Sequence, residues 1–389
     1  MKKIVFCLQR MTLGGVEKEL IAVLKKIHND FDITLLLLYQ EDSEILKDIP
    51  DTVKIKILNI DKDYFCGSVT ELAKKRIKRG AFFEAAAIVA KRFLRIGMTG
   101  TNINISGIPG LDDTFDVAVC YHIHSPIMLK YVAQKITAKK KVAWIHNDFY
   151  TTKYPIQRLK KYIVLYDEFV AVSQKVEHEF RIFCPWYRGG ISTAYNYLDA
   201  DEVIELAQEP VEEQQYRNEK NVILLTVGRF SEQKGIDLAI QACSMLKKAK
   251  LKFHWFLIGY GELEDLYRKL IKEHDVSDYF TILGKKTNPY PYIKQCDISV
   301  QPSRHEAYPL VLMEAKILKR PIVCTDFDGA DEQIDSGING IIVPVNDVNA
   351  LSEEVAKLIV SEEKRSSLSK ALEQWQADDD LKEIVKHFA

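Results

Sequence analysis

No stretch of this 389-residue chain is apolar for long enough to cross a membrane as a helix. Runs such as ITLLLLY at 33–39 are strand-sized, against the ~20 residues that a spanning helix needs. The start, MKKIVFCLQRMTLGG, has lysines ahead of an apolar run of only about five residues that leads into a glycine turn, so a first strand is expected there, not a secretory signal. Cysteine is scattered: Cys7, Cys66, Cys120, Cys184, Cys243, Cys296 and Cys324 stand singly, with no C-x-x-C. That argues against a zinc site, and an odd, dispersed set fits the reducing cytosol. The chain lacks a short internal repeat, a low-complexity tail and any sizeable net charge, with 54 Lys+Arg against 55 Asp+Glu. Its basic residues are not interleaved with aromatic platforms, so no nucleic-acid partner is expected. What is present is an ordinary globular composition, 47% hydrophobic and 28% charged, and enough length for two domains with separate cores.

Charge is unevenly spread. Residues 1–200 carry 30 Lys+Arg and 22 Asp+Glu, and the remainder 24 and 33. The densest basic stretch, KKRIKRGAFFEAAAIVAKRFLRIGM at 74–98, has eight cations and one Glu around an Ala-rich apolar centre. Strand-like runs alternate with helical periodicity, the pattern of parallel α/β units. The first series is KKIVFCL, DITLLLL, VKIKIL, FDVAVCY, KVAWIH, EFVAVS and ISTAY; after the acidic, strand-free 201–220 a second begins with NVILLTVGRF, FHWFLIG, FTILG, DISVQPS, RPIVCT and NGIIVPV. In GGVEKELIAVLKKIH, Val16, Leu20, Val23, Leu24 and Ile27 share one helical face. The expected fold class is α/β: two Rossmann-like doubly wound domains facing across a cleft, 1–200 and 201–370, with ligands at the carboxyl ends of the strands.

Three loops follow strands and would reach such a cleft. RMTLGGVEKEL places Gly14 and Gly15 before a helix, where backbone can approach a bulky anion; a plain tight turn explains the pair as well. TVGRFSEQKG places Arg229 and Lys234 on one loop. They suit a diphosphate, because two cations can take up charge building on a phosphate leaving group without a metal; a solvated charge pair is the plainer alternative. In SRHEAYPLVLMEA, Pro309 is expected in the first turn of a helix. The N–H groups of Leu310, Val311 and Leu312 would then form an anion site beside Glu306, with Glu314 about a turn further along. A carboxylate only accepts hydrogen bonds, so Glu306 and Glu314 suit paired hydroxyls, as on sugars and riboses; capping or surface roles are also open to them. Anion between two diol-gripping carboxylates describes a nucleotide-sugar.

GGVEK, VGRFSEQKG, FLIGYGEL, SRHEAYPLVLMEA with its E-x7-E spacing, and VCTDFDGADEQIDSGINGIIVPV, in this order, together resemble the family 4 retaining glycosyltransferases of GT-B fold. The resemblance implies that Arg229 and Lys234 contact the donor diphosphate, that Glu306 holds hydroxyls of the transferred sugar, and that Glu314 holds the ribose. It implies that Gly14 and Gly15 close over the phosphates and that His146, in WIHNDF, lies near donor sugar and acceptor. Asn196 in YNYLD matches an interdomain Asn, and Gly259 with Gly261 a donor-loop pair. A C-terminal helix, 371–389, is expected to cross back to the first domain, as in that family, leaving closure as the step that assembles the site.

One departure is Ala307, where the family has Gly. The acidic triplets DKD (61–63), DFD (326–328) and DDD (378–380) are expected to be loop carboxylates, and neither metal nor cofactor is expected. The implied chemistry is front-face replacement of a nucleoside diphosphate, UDP by family frequency, by an acceptor hydroxyl with retention. The acceptor expected is a glycan, lipid-linked, in bacterial surface polysaccharide synthesis. The basic segment 74–98 would then touch an anionic membrane from the cytoplasmic side, a solvated basic face being the alternative. A GT-B epimerase and a catalytically silent partner subunit are the competing functions.

Overall fold

The structure, a computed structural model, describes residues 1–12, 14–40, 44–60, 105, 107–152, 154–217, 219–375 and 379–388. The segment 74–98, the DKD triplet and Asp378 lie outside the described residues. The chain divides into two compact units. One gathers Met1–Val172, Glu177–Ala194 and Val385–Ala389; the other gathers Ser173–Val176 and Tyr195–Ile384.

Among the described residues the first unit has seven strands: β1 (Lys3–Leu8), β2 (Asp32–Leu37), β3 (Lys54–Ile57), β4 (Thr114–Cys120), β5 (Thr137–Ile145), β6 (Glu168–Ala171) and β7 (Gly190–Thr193). They lie in the order β3-β2-β1-β4-β5-β6-β7, and every neighbouring pair is parallel. Strands such as KIVFCL are nearly continuous in apolar residues, as parallel strands covered on both faces are. Helix α1 (Gly15–Ile27) buries Leu20, Val23, Leu24 and Ile27 and leaves Val16 half-buried. The chain's end docks here: the Phe388 ring meets Phe6 at 5.2 Å and Trp144 at 5.8 Å between centroids. His387 Nδ1 is 2.9 Å from Glu168 Oε1, while Lys140 Nζ reaches Glu168 Oε2 at 2.9 Å and the His387 carbonyl at 3.1 Å.

Among the described residues the second unit has six strands: β8 (Val222–Val227), β9 (Phe253–Ile258), β10 (Phe280–Gly284), β11 (Ile298–Gln301), β12 (Ile322–Thr325) and β13 (Ile341–Val343). Their order is β10-β9-β8-β11-β12-β13, again all parallel. The core holds Phe230, Ile236, Ile240, Trp255, Leu257, Val300 and Val355. Its indole is satisfied: Trp255 Nε1 donates to Thr226 Oγ1 at 3.0 Å, and Thr226 Oγ1 donates to the Val300 carbonyl at 2.8 Å. That chain ties β8, β9 and β11 together near their carboxyl ends, where an unpaired buried donor would be costly.

In each sheet the strand order reverses once, between β1 and β4 and between β8 and β11. A crevice outside the carboxyl ends of the strands opens at such a reversal: in the first sheet it lies at the loops that leave β1 and β4, and in the second at those that leave β8 and β11.

Candidate functional site

The loops leaving β8 and β11 interlock. Lys234 Nζ pairs with Glu306 Oε1, both side chains mostly buried, so the cation expected on the diphosphate and the carboxylate expected on the transferred sugar meet across 72 residues of sequence. Ser303 Oγ donates to the same Glu306 oxygen at 2.9 Å and accepts from Gln301 Nε2 at 2.7 Å; Thr325 Oγ1 donates to the Ser303 carbonyl. Glu306 is thereby held from two sides. A second clamp is Arg304, which grips Asp237 with two nitrogens at 2.9 and 2.7 Å and donates to the Glu232 carbonyl at 2.8 Å. Gly235 allows the approach: its φ is +61° and a Cβ there would stand 1.9 Å from the Pro302 carbonyl oxygen. Arg229 differs from all of these. It is exposed, with no ion pair among the described residues, and is available to a ligand.

Gly259 and Gly261 sit beneath the Arg229 loop. Their φ values are +150° and +159°, and a Cβ on either would strike backbone, Gly228 O at 1.9 Å and Phe230 O at 2.5 Å. Phe230 N donates to Tyr260 O at 2.9 Å and Gly228 N to Ile258 O at 3.0 Å. These glycines let the β9 loop lie against the β8 loop, a supporting role that sequence alone did not reveal. Asn196 acts on the other loop: its Nδ2 donates to the Tyr308 carbonyl at 2.7 Å, and the neighbouring Tyr195 stacks on Tyr308 at 4.7 Å. Ala307 is buried, and Gly329, at φ +78°, brings its α-carbon against the Ala307 carbonyl.

The helix after this loop spans Leu310–Ile317, and Pro309 is its N-cap, one residue outside the expected first turn. The cause is local: Pro309 has ψ 129°, an extended conformation, so helical geometry begins after it. No side chain caps this start. The N–H of Leu312 turns back to the Pro309 carbonyl at 3.3 Å, so of the three N–H groups expected at the anion site those of Leu310 and Val311 stand ahead of this bond. Glu314 is buried in the same helix. Of the DFD carboxylates, Asp328 pairs with Lys175.

In the first unit, Gly14 is the N-cap of α1 with an ordinary φ of −111°. A Cβ there would meet only the flexible Glu17 carboxylate, 2.5 Å away, which Thr12 Oγ1 holds by a 2.9 Å hydrogen bond. Gly15 opens the helix and is exposed. His146 follows β5 and is buried, with its ring 5.1 Å from Tyr121 and 5.9 Å from His122. Burial, followed by the His122 imidazole, pushes its pKa well below the usual value. Burial likewise pushes His122 down to about 4, and burial with its neighbour His122 pushes His124 down to about 3. All are neutral imidazoles near pH 7, and His146 Nε2 has no hydrogen-bond partner. His122 and His124 escaped the sequence reading. The signal that could have found them is His-x-His directly after FDVAVCY, at the strand reversal.

Residues 208–375 match the family described as Glycosyl transferases group 1. The chain is 32% identical over 143 residues to the amylovoran biosynthesis glycosyltransferase AmsK of Erwinia amylovora, which covers 35% of each chain. It is 29% identical over 190 residues, 48% of this chain and 50% of the other, to the N-acetylgalactosamine-N,N'-diacetylbacillosaminyl-diphospho-undecaprenol 4-alpha-N-acetylgalactosaminyltransferase of Campylobacter jejuni. These matches thus span about a third to a half of the curated relatives' lengths. The whole fold is shared with HepE from Anabaena, solved with UDP and glucose: TM-score 0.71, 18% identity, 100% of this chain and 99% of that one. The fold is therefore GT-B, and the segment 208–375, which carries Arg229, Lys234, Glu306 and Glu314, is the part that matches the glycosyl transferases group 1.

Proposed function

We propose that this protein is a retaining glycosyltransferase that moves a hexose-type sugar from a nucleoside-diphosphate sugar, UDP first, to a hydroxyl of a glycan acceptor. The observation that carries the proposal is the Lys234–Glu306 pair beside the exposed Arg229, at the strand reversal of the second sheet. As the bond from the anomeric carbon to the diphosphate breaks, charge builds on the leaving oxygen. Arg229 and Lys234 would spread it, and the uncapped helix start at Leu310 would add its dipole. Glu306, kept oriented by Ser303 and Lys234, would accept hydrogen bonds from hydroxyls of the sugar, and Glu314 from the ribose. The acceptor hydroxyl would pass its proton to the departing phosphate on the same face. No metal takes part in this scheme, so turnover should persist in EDTA.

The relative from Campylobacter, by its name, acts on a saccharide joined to diphospho-undecaprenol, which supports a lipid-linked acceptor. The basic segment 74–98 offers contact with an anionic membrane in that setting. The donor half is tested by thermal unfolding with UDP, GDP, ADP and CMP, for wild type and Glu314→Ala. A ligand at about 100 times its dissociation constant adds roughly 2.7 kcal/mol. One diphosphate raising the midpoint in wild type but not in Glu314→Ala is expected; no shift with any of them overturns the donor assignment and favours a silent subunit. A product of inverted anomeric configuration would overturn retention.

A further inference from the structure

One face of the first unit takes no part in the loops described above. The helix Ile156–Ile163 buries Ile156, Leu159, Tyr162 and Ile163, and turns Gln157, Arg158, Lys160 and Lys161 to solvent. Residues 157, 160, 161 and 164 follow helical spacing, so they form one stripe along it. The chain then exposes Val164 and Leu165, 51% and 47% accessible. Three contacts add neighbouring segments to this face. Lys160 Nζ lies 4.8 Å from the Trp186 ring centroid, Gln157 Nε2 donates to the Phe183 carbonyl at 3.2 Å, and the Tyr150 ring lies 5.0 Å from that of Phe183. Tyr150 and Ile182 are exposed as well, at 57% and 51%.

The charge on the helix that forms this face is of one sign. Between Phe149 and Tyr166 the sequence has no Asp or Glu. Among the described residues Arg158, Lys160, Lys161 and Arg188 have no carboxylate partner, whereas Arg181 is paired to Glu177 at 2.7 Å. The exposed aliphatic and aromatic side chains gain nothing from water, and the cations beside them carry charge that no carboxylate of the described residues offsets. At a bilayer surface both are used: cations meet lipid phosphates, and apolar side chains and aromatic rings enter the headgroup boundary.

We infer that this face seats on an anionic lipid bilayer, with Arg158, Lys160, Lys161 and Arg188 toward the headgroup phosphates and Tyr150, Val164, Leu165 and Ile182 toward the acyl boundary. The inference is independent of 74–98 and of the donor loops. Each cation near an anionic surface contributes on the order of fivefold to partitioning, so charge reversal at two positions weakens binding by about 25-fold or more.

The test is co-sedimentation of the full chain with vesicles of phosphatidylcholine alone, or of phosphatidylcholine and phosphatidylglycerol in equal parts. Wild type should bind only the anionic vesicles and release as salt rises from about 0.1 M to 1 M, where the screening length shrinks from ~10 to ~3 Å. Lys160→Glu with Lys161→Glu should lose about 25-fold, and Val164→Ser with Leu165→Ser about tenfold. Lys252→Glu with Lys272→Glu, two exposed positions of the second unit, should stay within about twofold of wild type. Unchanged melting temperatures confirm that the variants fold; if the lysine pair fails to fold, the serine pair decides. Binding lost only on reversing Lys74, Lys75 and Arg76, retention by both test pairs, or capture of an acidic polysaccharide with no vesicle binding overturns the inference. UDP stabilisation in the same samples reads the donor site separately, so failure of one does not imply failure of the other.

Discussion

The two sheets reverse their strand order in the same way but furnish the reversal with opposite chemistry. In the second unit the loops are charged and interlocked: Lys234 with Glu306, Arg304 with Asp237, glycines pressed against backbone. In the first unit the carboxyl ends of β4 and β5 carry Tyr121, His122, His124 and His146, rings held neutral by burial. Under the proposed function the difference is a division of labour. Fixed charge suits a diphosphate whose charge grows during reaction, while neutral imidazoles, each offering one donor and one acceptor, suit hydroxyl groups that must be oriented but not ionised.

The strongest way to break this comparison is to remove the charge. Arg229→Ala and Lys234→Ala are each expected to lower sugar-transfer turnover by about 10²- to 10³-fold, the scale of losing one donor at a developing oxyanion. Turnover of Arg229→Ala within about threefold of wild type would take Arg229 out of that role. Gly259→Ala attacks the support of that loop. Its Cβ would overlap Gly228 O, and a loss of about 3 kcal/mol in urea unfolding is expected.

Ser303→Ala is a finer probe, because Ser303 touches Glu306 and acts through it. A hydrogen bond to a charged group is worth roughly 1.5–3 kcal/mol, so a drop of about tenfold or more in kcat is expected, with little change in UDP binding. Loss of UDP binding, measured by calorimetry, would instead show that the whole loop had moved.

The charged loops were legible in the sequence because their partners sit in short motifs directly after apolar strands. The strands were legible too, since parallel strands buried on both faces read as unbroken apolar runs. What escaped depends on contacts between distant residues. Arg304 clamps Asp237 across 67 positions, and no local period encodes that contact; the return of the C-terminal segment, where Phe388 meets Phe6, was expected from the resemblance alone. Gly259 and Gly261 looked like ligand-facing residues, and only the approach of Gly228 and Phe230 shows why a side chain cannot stand there. His122 and His124 escaped because their neighbourhood with His146 is made by strand pairing, which joins β4 to β5 across the sequence.

Acid should separate the units. A buried imidazole whose pKa falls from about 6.5 to about 4 in the fold, as at His122, costs nothing at neutral pH. As pH falls below about 6.5 the unfolded chain binds protons that the folded one refuses, so stability declines until about pH 4. Burial raises the Glu168 pKa, but hydrogen bonds from His387 and Lys140 outweigh it and set it at about 2; that contribution is present above about 4.5 and is lost as pH falls toward 2. The second unit has a device of the same sign set at higher pH. Burial lowers Lys316 to about 8, so its stability rises as pH climbs from about 8 toward 10.5. Hydrogen exchange read by segment should show β4 and β5 loosening first in acid, with the helix Leu310–Ile317 gaining protection in mild alkali. Uniform loss over both units in acid would contradict the assignment.

The smallest expected effect sharpens the contrast most. A Cβ on Gly14 meets only the tip of Glu17, a side chain that can swing away, and its φ is one that alanine adopts freely. Gly14→Ala should therefore leave stability within about 0.5 kcal/mol of wild type, unlike Gly259→Ala. If the backbone at Gly14 approaches a donor phosphate, the added methyl must still push that ligand away, and the donor KM should rise by about threefold to tenfold with kcat little changed. The two glycines then differ in kind: one is glycine because the fold needs the space, the other because the ligand does. A donor KM unchanged in Gly14→Ala would show that no phosphate comes close there, and would leave the charged loops of the second unit as the sole diphosphate contacts.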